Sequence, residues 1–230
     1  MSDRTVRIAW LGPEAVEPTR VAEALAWLDA GERDRHDRLV RDDDRLNFAR
    51  GRWLLRRMLS DATGTRPTDW RFRPGAHGRP EPLGPVDTAH LSVNLSHTRR
   101  MVVAALSTAA PVGVDVEYDD RPAPVHIARR FFAPDECAAL DALAEPARSE
   151  LFWRIWTLKE AWLKARGTGI AGFLASSSVR FADPAPPELV SAEGPARLVE
   201  VAGPARARIA VCTLGPAVPH LTLASEIGSP

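Results

Sequence analysis

Residues 153–169 read WRIWTLKEAWLKARGTG, and the Lys159 and Lys164 they contain are the only lysines of a 230-residue chain whose other basic side chains are all arginine. Pro146 ahead of the stretch and Gly167 near its end predict a helix over 147–166, the strongest in the chain. Trp156, Glu160 and Lys164 recur at i, i+4 and i+8 and line one face. Phe152, Ile155, Trp162 and Leu163 make the helix apolar nearly all round, which predicts burial, and a buried Glu and Lys call for a reason. The plain alternative is a weak Glu-to-Lys surface pair. Arginine serves a bidentate ion pair better; a compact ammonium suits contact with one phosphate oxygen or a place beside a metal ion. Richness in arginine, alanine and proline explains why lysine is scarce, but not why these two positions keep it.

Outward from this helix, PVGVDVEY at 111–118 reads as a strand. Residues two apart share a strand face, so Asp115 and Glu117 set two carboxylates side by side. A divalent cation would relieve their repulsion, and an all-oxygen donor set favours Mg²⁺. Solvent or a neighbouring arginine would also do so. Upstream, RTVRIAWL predicts an opening strand, 19–30 and 32–62 predict helices, and RPGAHGRPEPLGP predicts an extended loop that carries Arg79. LSVNLSHTRRMVVAALS predicts two strands around a turn at Ser96-His97-Thr98. IARRFFAPDECAALDAL predicts two short helices broken at Pro134. SSVRFADP, ARLVEVAG, ARIAVCTL and HLTLAS predict short strands. The RDDDR run at 41–45 reads as a solvated helix face.

Lys+Arg equals Asp+Glu at 30 each, so no net basic charge points to nucleic acid. No run has the length of a membrane helix, and MSDRTVRIAW lacks a signal-peptide core. Cys137 and Cys212 stand alone and far apart, which is neither a disulfide framework nor a zinc pattern. A cytoplasmic protein without membrane or nucleic-acid partners is expected.

Taken in order, HGRP…NLSHT…VGVDVE…RRFFAPDE…FWRIWTLKEAWLKARGTGI closely resembles the 4′-phosphopantetheinyl transferases of the surfactin-activating type, from about Glu32 to Phe181. The resemblance implies an α+β fold of two similar α/β subdomains in pseudo-twofold arrangement, with the active site in the cleft between them. Residues 1–110 would bind the coenzyme A nucleotide, and 111–230 would carry the metal site and the KEA helix. The implied reaction transfers 4′-phosphopantetheine from coenzyme A to a serine of an acyl, polyketide or peptidyl carrier protein and releases adenosine 3′,5′-bisphosphate.

By the same resemblance Asp115, Glu117 and Glu160 hold Mg²⁺, Glu160 serves as base, and Lys164 grips the pyrophosphate. Lys159 has a supporting or charge-neutralising role toward coenzyme A. Arg79 and Pro80 meet the nucleotide, Ser96 and His97 contact coenzyme A phosphates, and Arg35 lies near the 3′-phosphate. Asn47 departs from the pattern by standing where relatives carry an arginine toward the 3′-phosphate, with Arg45 and Arg50 out of obvious phase to replace it. Glu32 likewise stands where some relatives have a basic residue. A monomer is expected, with Arg129 and Arg130 beside Phe131 and Phe132 as a surface for an acidic carrier. Two other readings compete: a Mg²⁺-dependent hydrolase of a nucleotide diphosphate, and a coenzyme A- or carrier-binding module without chemistry.

Overall fold

In the computed structural model the chain runs β1 (Thr5–Leu11), α1 (Pro18–Trp27), α2 (Ala30–Arg38), α3 (Asp42–Thr63), β2 (Arg71–Pro74), β3 (Pro80–Leu83), β4 (Ser92–His97), β5 (Val102–Ser107) and β6 (Val112–Tyr118). It continues through α4 (Ala128–Phe131), α5 (Pro134–Asp141), α6 (Ala147–Arg166), β7 (Ser178–Ala182), β8 (Ala185–Val190), β9 (Ala196–Val201), β10 (Ala207–Leu214) and β11 (His220–Ala224). The residues described are 5–12, 18–99, 101–169, 174–182, 184–215 and 220–224. Two units divide them: 1–109 with 219–230, and 110–218.

The first unit sets α3 on a four-stranded sheet of order β11-β1-β5-β4. Alternation in β1, β4 and β5 sends Ala9, Leu11, Val93, Ala104 and Leu106 into one core with Trp53, Leu54, Leu55, Met58 and Leu59 of α3. The sequence reading gave residues 111–230 to the second subdomain, whereas the last strand belongs to the first unit. β11 pairs in parallel with β1, from Thr5 opposite His220 to Ala9 opposite Ala224.

The helix expected over 32–62 is two. The chain is extended at Leu39 and Arg41, and α3 starts anew with Asp42, Asp43 and Asp44 in its first turn. Acids there complement the helix dipole, so the RDDDR run marks a helix start rather than a mid-helix face. Asp29 caps α2 and Glu32 reaches back to the Asp29 N–H, a capping box. The expected loop over 73–85 contains the β2–β3 ribbon, with Pro74 opposite Pro80 and Phe72 opposite Pro82. Proline lacks the N–H of an interior ladder, but a two-stranded ribbon has free edges on which it can sit.

In the second unit α6 lies on the antiparallel sheet β6-β10-β9. Leu158, Ala161, Trp162, Leu163 and Ala165 pack on Leu198, Ala210 and Cys212. Toward its N-terminus, Phe152, Trp153 and Ile155 join Ala128, Phe132 and Leu140 in a second core. Gly167, at φ 68°, ends α6 in the left-handed conformation that glycine adopts without strain.

Gly113 sets how closely helix and sheet approach. A Cβ there would lie 2.1 Å from the Ala161 carbonyl oxygen and 2.3 Å from the Ala165 nitrogen. Both are backbone atoms, which cannot rotate away. Gly113→Ala is therefore expected to cost about 3 kcal/mol, the upper end for overpacking, read as a lower midpoint in chemical denaturation. An unchanged midpoint would mean that α6 is not held this close.

Candidate active site

The missing side chain of Gly113 points at α6, and strand alternation puts Asp115 and Glu117 on that same face of β6. On α6, Glu160 and Lys164 are one turn apart. Lys164 Nζ donates to Asp115 Oδ1 at 2.6 Å. Asp115 is 5% exposed and Glu160 9%, while Lys164 keeps 29% of its side chain in solvent. Glu160 Oε1 is enclosed and has no hydrogen-bond partner.

Glu160 is raised to about 7, first by burial and then by the Asp115 carboxylate, with Lys164 opposing both. Glu117 is likewise raised to about 7, first by burial and then by Asp115, against Arg121 and Lys164. Glu160 adds a smaller push on Glu117. Each acid is therefore within electrostatic reach of the others. Among the described residues no three His, Cys, Asp or Glu side chains already form a group able to hold a metal ion. The donors themselves suit Mg²⁺: three carboxylates, two held above their ordinary range, with the enclosed Glu160 Oε1 unmatched.

Lys159 departs from the expectation. Its side chain is fully buried, and Nζ donates to Glu136 Oε2 at 2.5 Å and to the Ser177 carbonyl at 2.7 Å, with the Phe132 ring 5.3 Å away. Glu136 also accepts from the Ala133 and Val179 N–H groups. The pair ties α5, α6 and the start of β7 together. Its neutralising charge is turned inward, so the expected contact with coenzyme A is corrected to a structural one.

In the first unit, Arg79 Nε donates to the Val93 carbonyl at 2.9 Å and Nη2 to Ser92 Oγ at 2.8 Å. Both bonds tie Arg79 to the start of β4, and Pro80 beside it is buried. Ser96 and His97 end β4, roughly 13 Å of strand further on, rather than forming a turn. The turn lies after them, where the Thr98 N–H donates to the Met101 carbonyl. Ser96 is buried and His97 exposed, on opposite faces of the strand. Arg35 is exposed over the Phe48 ring, 5.6 Å from its centroid.

Both departures at the nucleotide end have structural occupations. Asn47 Nδ2 donates to the Thr98 carbonyl at 2.9 Å and fixes the turn after β4. Glu32 is buried between Arg52 and Arg56, at 2.8 and 2.5 Å. Of the arginine–phenylalanine surface, Arg129 and Arg130 are exposed, but Phe132 is core, its ring tilted against Phe152 at 5.2 Å between centroids. Phe131 meets Trp156 edge-on at 5.9 Å.

A cavity of about 590 Å³ lies elsewhere in the second unit, lined by α6 and the β9–β10 hairpin. Its charges are spent on each other, Arg154 on Glu200 and Arg208 on Asp119 and Glu150. Sequence reading missed Gly113 and Glu136, and for Glu32 it missed the buried pairing with Arg52 and Arg56. Gly113 leads the GVDVE motif and could have been found by asking why a strand interior carries a glycine.

A family model of the 4′-phosphopantetheinyl transferase superfamily matches residues 111–212, which hold both halves of this cluster. The chain is 31% identical to the 4′-phosphopantetheinyl transferase HetI of Nostoc sp., over 70% of this chain and 69% of that protein. It is 36% identical to a putative 4′-phosphopantetheinyl transferase of Synechocystis sp. over 65% of this chain and 61% of that one. The Bacillus subtilis 4′-phosphopantetheinyl transferase Sfp is 29% identical over 68% and 67%. Among solved structures, the holo-[acyl-carrier-protein] synthase of Thermotoga maritima matches 46% of this chain and 62% of its own, at 24% identity and a TM-score of 0.38. With the GVDVE strand and the KEA helix packed as described, and with the Nostoc enzyme matched at 31% identity over 69% of its length, the chain belongs to the 4′-phosphopantetheinyl transferase superfamily.

Proposed function

We infer that this protein transfers the 4′-phosphopantetheine group of coenzyme A to a serine hydroxyl of an acyl, polyketide or peptidyl carrier protein and releases adenosine 3′,5′-bisphosphate. The observation that carries the reading is the meeting of Asp115 and Glu117 on β6 with Glu160 and Lys164 on α6, where Glu160 keeps an enclosed, unmatched oxygen. Such a group has the elements phosphoryl transfer needs: fixed charge, positioning and a proton acceptor.

Glu160 is the base. Its carboxylate takes the proton from the serine hydroxyl. The serine oxygen bonds to the phosphorus that carries pantetheine. The bond from that phosphorus to the bridging oxygen breaks, its electron pair leaves with the bisphosphate, and the serine proton goes to Glu160. Lys164, the partly exposed cation of the group, neutralises charge on the departing phosphate. Asp115, Glu117 and Glu160 would hold Mg²⁺, which when bound supplies charge neutralisation at the pyrophosphate. In the first unit Arg79, Ser96, His97 and Arg35 serve the nucleotide and its phosphates. The protein acts as a cytoplasmic monomer, and no helix among the described residues is long and apolar enough to cross a membrane.

Cation binding carries a pH signature. Glu117 and Glu160 must lose their protons to take Mg²⁺, and both hold them up to about 7. Mg²⁺ affinity is therefore expected to fall as pH drops from 8 to 6, with proton release near pH 7 seen by calorimetry in two buffers of different ionisation heat. Equal affinity at both pH values would take these carboxylates out of the cation site.

The competing hydrolysis is tested by chromatography of the bisphosphate. Transfer predicts release only when an apo carrier protein is added. Release at the same rate without carrier would identify a hydrolase instead.

A further inference from the structure

Arg208 of β10 stands directly opposite Glu117 of β6 in the antiparallel register. Opposed residues point to one face of a sheet with Cβ atoms about 4.5–5.5 Å apart, where an acid and a base favour an ion pair. Among the described residues that pair is not made. Arg208 Nε donates to Asp119 Oδ2 at 2.9 Å, and its Nη2 lies 2.8 Å from the same oxygen. Nη2 also donates to Glu150 Oε1, in the first turn of α6, at 3.3 Å. Glu117 has the exposed Arg121 at 3.9 Å instead, too long for a hydrogen bond.

Asp119 is placed to cause this. It follows Glu117 by two residues and so shares its face, and its N–H donates to the Arg206 carbonyl at 3.1 Å, which extends the β6–β10 ladder. Arg206, left-handed at φ 66°, turns its guanidinium back on the same residue. Its Nε donates to Asp119 Oδ1 at 3.2 Å and its Nη2 to the Asp119 carbonyl at 2.8 Å. Arg206 thus fixes one carboxylate oxygen, and the other meets Arg208. The Asp119 side chain is 15% exposed against 60% for Glu150, so solvent weakens its hold on Arg208 less.

The diversion matters for the cation. A guanidinium on Glu117 would use the oxygen lone pairs that a metal ion needs and would set a positive charge beside the ion. We propose that Asp119 is a positioning residue that draws Arg208 off Glu117 and so keeps the Glu117 carboxylate open to Mg²⁺. The proposal rests on the reading of Asp115, Glu117 and Glu160 as the cation site and adds to it a residue that does not touch the ion.

The test is a double-mutant cycle of Asp119→Asn and Arg208→Gln, read as Mg²⁺ affinity by calorimetry at fixed pH and ionic strength. Asp119→Asn is expected to weaken Mg²⁺ binding for two reasons: a nearby negative charge is lost, and Arg208 turns to Glu117. The cycle separates them. A general field effect gives Arg208→Gln the same gain in Mg²⁺ affinity in both backgrounds. The diversion predicts a gain about 3- to 5-fold larger in the Asp119→Asn background, the order of a partly exposed cross-strand ion pair.

Equal gains overturn the proposal. So does a loss in Asp119→Asn that Arg208→Gln fails to relieve, since Asp119 would then serve the fold alone. Asp119→Ser carries the same cycle should the asparagine variant not fold. Failure of the wild-type protein to bind Mg²⁺ at all would instead overturn the cation-site reading, and this proposal with it.

Discussion

Glu160→Gln is expected to lower carrier modification by about 10²- to 10⁴-fold, the range for loss of a general base, in a protein that stays folded. Glutamine matches the shape of protonated glutamic acid, the form that burial and Asp115 favour up to about pH 7. The substitution removes a carboxylate that the fold holds at a disadvantage, so thermal stability above pH 7 should not fall. The pH profile sharpens the test. At limiting Mg²⁺, wild-type activity should decline as pH falls below about 7, where protons on Glu160 and Glu117 compete with the cation. The residual activity of the variant should lose the part of that decline due to Glu160. Rates within a few-fold of wild type would remove Glu160 from the mechanism.

Lys159→Ala should behave in the opposite way, with a large loss of stability and a small loss of chemistry. It strands Glu136 inside the protein with an uncompensated charge, for which the expected cost is about 3–5 kcal/mol. The Ser177 carbonyl loses its ammonium donor as well. Pairing Lys159→Met with Glu136→Gln removes both charges and should recover much of the loss, because an apolar or neutral replacement of a buried pair is tolerated far better than half of it. Denaturant midpoints of the two singles and the double give the coupling directly. At temperatures where Lys159→Ala is folded, the Michaelis constant for coenzyme A should stay near the wild-type value. A stable Lys159→Ala protein with impaired coenzyme A binding would return Lys159 to the ligand site.

The two lysines of one helix thus part company five residues apart. Lys164 is legible in the sequence: i,i+4 spacing places it beside Glu160, and the period of two places Asp115 beside Glu117. Lys159 is not, because its partner Glu136 is 23 residues away on another helix and nothing local announces the pair. The same holds for Glu32, whose partners Arg52 and Arg56 lie a helix apart, and for Asn47, which answers a turn 51 residues on. Local pattern found most helices and strands, including β1, β4 to β6 and α6. It failed where proline-rich sequence hid the β2–β3 ribbon and where the extended link at 39–41 split one expected helix in two. It also gave no sign that β11 returns to β1, since strand partnership is a long-range choice. Gly113 falls between these cases. Its place in the motif was visible, but the contact that requires it, an α6 backbone atom where a methyl would be, belongs to packing.

The measurement that tests the central claim most directly is the intact mass of an apo carrier protein incubated with this protein, coenzyme A and Mg²⁺, with and without EDTA. The account predicts a mass gain of one phosphopantetheine group that disappears with EDTA. An unmodified mass across acyl, polyketide and peptidyl carriers, from protein that binds coenzyme A, would contradict it.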